Sequence, residues 1–124
     1  MAHLKGTVNS YRPFLKTKCH NGRLIIGIGS NKIKVDTGFD GGIVAPKEIL
    51  NELNLTSLGE RDIADFENNF KKKEVFLGEI KIREQIYEIT FMEGDFLLGM
   101  ELMDDVFKTL KINFENNKFS LTLR

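Results

Sequence analysis

One cysteine, Cys19, is all the chain holds, so an internal disulfide is excluded and no Cys-x-x-Cys pair exists to bind zinc or do redox work. A lone thiol of this kind fits a reducing compartment, and the cytoplasm is the expected location. A charge surplus is missing as well: lysine plus arginine and aspartate plus glutamate total 18 each. No net field draws the chain to nucleic acid or to an anionic membrane, and neither is expected as a partner. Apolar runs such as "LIIGI" and "FLLGM" fall far short of the roughly 20 residues that a spanning helix needs, and the N-terminus has no signal-peptide core. No linker, repeat or low-complexity tract interrupts residues 1–124, and 124 residues suit one domain with its own core.

What the chain does have is strand signal. "GRLIIGIG", "NKIKVD", "GGIVAP", "EVFLGEIKI", "EQIYEITFME", "LKINFE" and "NKFSLTL" are rich in Ile, Val, Phe and Leu, and several alternate apolar with polar. Turn formers separate them at Gly29-Ser30-Asn31, Glu67-Asn68-Asn69, Arg83-Glu84-Gln85 and Glu115-Asn116-Asn117, each of which reads as a hairpin connection. Two segments keep helical spacing instead. Ile49, Leu50 and Leu53 follow Pro46, which suits a first helical turn; Leu102, Met103, Val106, Phe107 and Leu110 form a second stripe, with Asp104, Asp105 and Lys108 facing outward. The expectation is a mainly β domain with two short helices.

The stretch "KIKVDTGFDGGIVAP", residues 32–46, sets an acid, a hydroxyl and three glycines between two apolar runs. Ile33 and Val35 place Asp36 at a strand end, where a carboxylate faces a cleft. Thr37 adds a hydroxyl able to lock the loop, and Gly38, Gly41 and Gly42 permit close backbone approach. By itself an Asp-Thr-Gly is more often a surface turn with a local side-chain bond. About 60 residues later, "DFLLGMEL" supplies a glycine between an apolar strand and a helix.

Together, "VDTGFDG" (Val35 to Gly41), "FLLGMEL" (Phe96 to Leu102) and the closing "KINFENNKFSLTL" resemble the retropepsin-like aspartic proteases, in particular the small single-domain prokaryotic type. The resemblance covers residues 25–123. It implies a closed-barrel acid-protease fold and a homodimer in which each chain is one half of the active site. Asp36, Thr37 and Gly38 would be the catalytic loop. Asp36 and its symmetry mate would share one proton and hold a water, since two carboxylates that close cannot both ionise. The implied activity is hydrolysis of peptide bonds in a peptide or protein substrate, with no metal and no cofactor. Phe39, Asp40, Gly41, Leu98 and Gly99 would line the substrate cleft. Asp65 and Phe66 would join them from a covering hairpin over residues 59–78, its turn at Glu67 to Phe70. Two readings of Phe66 and Phe70 stand here: covers for substrate side chains, or core residues of the hairpin. A retropepsin-fold dimer that binds peptides without cleaving them is the alternative function.

Other chemistries have weaker support. His3 and His20 stand far apart in sequence, with no helical or turn spacing to a second ligand. Gly27-x-Gly29 precedes a strand and reads as a hairpin turn rather than a phosphate loop. Cys19 is a poor nucleophile, because His20 would point the opposite way along a strand. Glu93, Asp95, Glu101, Asp104 and Asp105 read as helix-dipole and surface acids. Lys34 is unusual for a strand beside the catalytic loop and reads as reaching to an edge.

Overall fold

The computed structural model describes residues 3–64 and 67–124. Among the described residues eleven strands join in one sheet system, with two helices of one turn each, α1 (Lys47–Leu50) and α2 (Met103–Val106). The domain is therefore mainly β. Among the described residues no helix is long and apolar enough to cross a membrane.

The chain opens with β1 (His3–Asn9), β2 (Arg12–His20), β3 (Arg23–Ile26), β4 (Asn31–Val35) and β5 (Ile43–Ala45). After α1 come β6 (Thr56–Ala64), β7 (Phe70–Ile82), β8 (Gln85–Glu93) and the two-residue β9 (Leu97–Leu98); after α2 come β10 (Phe107–Asn113) and β11 (Lys118–Leu123). Hydrogen-bonded neighbours run β10-β11-β1-β2-β3-β7-β8-β5-β9-β4, and β4 also pairs with β2. That last pairing returns the path to β2 and encloses a ring of strands. Inside it, Leu15, Leu24, Ile33, Ile43, Ile80, Ile89 and Phe91 are at most 1% exposed. Strand alternation puts them there: Ile33 and Val35 point in while Lys32 and Lys34 point out.

The structure corrects several expectations. β3 and β4 do not form a hairpin at Gly29-Ser30-Asn31. Each pairs antiparallel with β2, Thr17 facing Ile26 on one side and Asn31 on the other, so the chain between them changes edges of β2. Gly27 and Gly29, with φ of 110° and 124°, supply the left-handed backbone this crossing needs. The second helical stripe also ends early. From Phe107 onward the chain is strand, because β10 pairs with β11 as far as Asn113 facing Lys118, and Thr109 Oγ1 donates to Thr122 Oγ1 at 2.8 Å. Spacing of i and i+4 at Met103 and Phe107 is real, and both are buried, but they sit on either side of the helix end. Strands β1 and β2 carry too much lysine and polar residue to stand out as apolar runs.

Elsewhere expectation and structure agree. Leu50 and Leu53 are buried beside α1. Phe119 and Leu121 are buried on one face of β11, and the hairpins at Arg83-Glu84 and Glu115–Asn117 form. A hairpin also forms over residues 59–78, as expected: β6 pairs with β7 from Thr56 facing Leu77 to Ala64 facing Phe70. Phe70 is 71% exposed and so is not a core residue. Asp65 and Phe66 lie outside the described residues. Lys34, expected to reach an edge, is instead half-buried on a strand paired on both sides, between Phe14 of β2 and Leu97 of β9.

Candidate active site at the Asp36 loop

Asp36 follows the last residue of β4. Its N–H donates to the Leu98 carbonyl at 2.9 Å, extending by one residue the parallel ladder in which Val35 faces Leu98. β9 is in turn antiparallel to β5, with Ile43 facing Leu98. The two strands that flank the Asp36 loop are thus held apart by a third threaded between them. This fixes where the loop begins and ends.

Inside the loop the chain binds itself. The Gly38 N–H donates to Asp36 Oδ1 at 3.0 Å, and the Phe39 N–H donates to the Asp36 carbonyl at 3.3 Å, an aspartate turn inside a β-turn. The loop is then laced to the segment after β9. The Gly99 N–H donates to the Gly42 carbonyl (2.7 Å), Met100 N–H to Phe39 (2.8 Å) and Glu101 N–H to Gly41 (3.1 Å). Backbone bonds of this kind leave few conformations for the carboxylate, which is what a reacting group needs from its support.

Glycine at 99 is a matter of space. A Cβ there would lie 2.3 Å from the Gly41 carbonyl oxygen and 2.5 Å from Phe39 Cδ2. The Phe39 ring also covers Gly41, where a Cβ would meet Cζ at 2.5 Å. Phe39 therefore folds back over the loop and is half-buried, locking Gly41 against Gly99. Leu98 is 2% exposed, and Gly99 is buried; both act through their backbone groups in the single chain.

Asp36 is half-buried, while Thr37, Gly38 and Asp40 are exposed. Among the described residues no ion pair engages Asp36 or Asp40, and the Thr37 hydroxyl has no hydrogen-bond partner. Beside Thr37 runs a groove of about 360 Å³ lined by Met100, Met103, Phe107 and Leu110. Met100 and Leu110 are more than a third exposed, so this apolar ground continues onto the surface beside Thr37. No hydrogen bond among the described residues joins the β6–β7 hairpin to the Asp36 loop.

One supporting pair escaped the sequence. Glu101, expected as a first-turn helix acid, precedes α2 and accepts from the Thr90 N–H (3.0 Å) and the Thr90 hydroxyl (2.5 Å), tying the segment after β9 to β8. Only the fold brings residues 11 apart together here, and no local pattern signals it.

Cys19 behaves as a packing residue. It lies against the core, while His20 on the opposite face is exposed. Burial, followed by the Glu52 carboxylate that accepts its hydrogen bond, pushes the thiol above its ordinary value, the reverse of what a nucleophile needs. Its neutral form therefore favours the fold below the unfolded thiol's value, and that contribution is lost as pH climbs through the raised one. Alkylation by iodoacetamide near pH 8.5 is expected to run several-fold slower than for an unfolded cysteine, and Glu52→Gln to speed it. Equal rates for folded and unfolded protein would contradict this environment.

No family model, curated protein or solved structure matches the chain.

Proposed function

We propose that the chain is an aspartic endopeptidase of the retropepsin type, working as a two-fold homodimer in which Asp36 of each copy supplies one carboxylate. The observation that carries this reading is the Asp36 loop itself: a half-buried aspartate at a strand end, its loop bonded at four backbone points to Leu98–Glu101. The ring of strands closed by the β2–β4 pairing supports reading the fold as an acid-protease barrel. The unpartnered Thr37 hydroxyl and the apolar groove beside it are the kind of surface a second copy covers.

In this mechanism the two carboxylates hold one proton and one water. The unprotonated carboxylate takes a proton from the water as its oxygen attacks the scissile carbonyl carbon; the protonated one donates to the carbonyl oxygen. Collapse of the resulting diol breaks the C–N bond, and the departing nitrogen takes a proton from the pair. Titration belongs to the pair rather than to either residue. Substrate would lie extended over Gly38 as an added strand, with the β6–β7 hairpin above it and exposed Phe70 near its tip. A reducing setting such as the cytoplasm suits the single half-buried thiol.

The test is cleavage of an extended-peptide library by wild type and Asp36→Asn over about pH 4 to 7, the span a shared proton covers. Cleavage by wild type alone is expected. A stable dimer that binds the same peptides but leaves them intact would instead identify a peptide-binding module.

A further inference from the structure

A second feature lies away from the Asp36 loop. Strand β1 pairs with β2 only from Thr7 facing Phe14 to Asn9 facing Arg12. Nearer the N-terminus, β1 follows β11 instead, His3 facing Thr122 and Lys5 facing Ser120. The far half of β2 meanwhile pairs with β3, Thr17 facing Ile26 and His20 facing Arg23. The two strands part, and a cavity of about 560 Å³ opens between them.

Register determines what lines it. Lys18 of β2 faces Ile25 of β3, and Ile25 faces Lys81 of β7, so a lysine, an isoleucine and a lysine form one row across three strands. Neighbouring strands are about 4.8 Å apart, which puts the two lysine stems roughly 10 Å apart with an apolar floor between them. Lys5 stands on the β1 side. Arg83, at φ 57° in the β7–β8 turn, donates to the His3 carbonyl and brings its guanidinium to the same opening. Ile28, 54% exposed, extends the floor.

Four cations meet one lining carboxylate, Glu84, in a chain of no net charge. Among the described residues, neither ion pair involves Lys5, Lys18, Lys81 or Arg83. Like charges gathered around a concavity repel unless something neutralises them, and they focus potential into it. Ammonium and guanidinium groups match phosphate oxygens. The volume falls within the range of small-molecule sites.

We propose that this cavity binds an organic polyphosphate, its phosphates on Lys5, Lys18, Lys81 and Arg83 and its apolar portion on Ile25 and Ile28. Several anionic groups are needed to span cations so far apart, and an apolar floor suits a ligand with a flat organic body. The site is separate from Asp36: extending the β2–β4 register sets Asp36 level with Arg12, six residues from Lys18, roughly 20 Å along the strand. It stands whether or not the chain is a peptidase.

The test is a titration of the full chain, followed by amide chemical shifts, with ATP, inorganic tripolyphosphate, citrate and a short single-stranded oligonucleotide as separate probes. Saturable shifts at Lys18, Ile25, Lys81 and Arg83 are expected with ATP. Tripolyphosphate, lacking an organic body, should bind about tenfold more weakly, and citrate more weakly still. The double variant Lys18→Gln, Lys81→Gln should raise the ATP dissociation constant about 30-fold or more. The pair Lys111→Gln, Lys118→Gln on the terminal hairpin should leave it unchanged. Added salt should weaken binding. The proposal is overturned by absence of saturation at millimolar ATP, by shifts located elsewhere, by equal losses in both double variants, or by an oligonucleotide that outcompetes ATP. Should the first double variant fail to fold, the shift map of wild type decides alone.

Discussion

Asp36→Asn is expected to lower peptide cleavage by about 10³-fold or more while leaving the fold intact. Activity and stability depend on different atoms of this side chain. An asparagine Oδ1 still accepts from the Gly38 N–H, the one side-chain bond Asp36 makes among the described residues, so the turn survives and the melting temperature should stay within a few degrees. The amide cannot take a proton from water, however, and replacing both copies would remove the proposed shared-proton pair altogether. Measurement of cleavage rate and melting temperature on the same preparation separates the two. Full activity in Asp36→Asn would remove the aspartate from the mechanism.

The second large effect is structural. Gly99→Ala should destabilise the domain by about 3 kcal/mol, at the upper end of the usual overpacking range, and lower its melting temperature by about 10 °C. Two of the nearest atoms to the added methyl are the carbonyl oxygens of Gly41 (2.3 Å) and Phe39 (2.7 Å), and backbone cannot swing aside as a lysine tip does. The third is the Phe39 ring, which the Gly41 contact holds in place. Relief requires breaking the Gly99 to Gly42 and Met100 to Phe39 hydrogen bonds, and these position the Asp36 loop. Gly38→Ala makes the useful contrast: the nearest atom to its methyl is Asp36 Oδ1 at 3.4 Å, ordinary contact, so stability should hardly move. A Gly99→Ala protein melting within about 2 °C of wild type would mean the loop is not clamped as described.

How much of this could be read from the chain alone depends on the range of the interaction. Period-two alternation placed Ile33, Val35, Phe119 and Leu121 in the core, because a strand's faces are set by its own sequence. The Asp36 loop was legible for the same local reason: small residues and an aspartate between two apolar runs. The start of β10, residues 107–110, was not. Its apolar spacing suits a helix as well as a strand, and pairing with β11 decided the matter. The crossing from β3 to β4 was equally hidden, since Gly29-Ser30-Asn31 is a good turn whether its strands pair with each other or with opposite edges of β2. Glu101 with Thr90, the clamp at Gly99 and the charged cavity beside Ile25 all arise from residues that only the fold makes neighbours. The histidines illustrate this well: His3 and His20 have no sequence spacing in common, yet both line that cavity.

A dimeric site with one Asp36 from each copy is most directly tested by mixing wild type and Asp36→Asn protein in varying ratio, letting subunits exchange, and measuring cleavage at constant total concentration. If both carboxylates are required, only wild-type pairs cut, and activity follows the square of the wild-type fraction; an equal mixture should retain about a quarter of the starting rate. A linear fall, leaving about half at equal mixture, would mean that each chain cuts alone and would contradict the shared site.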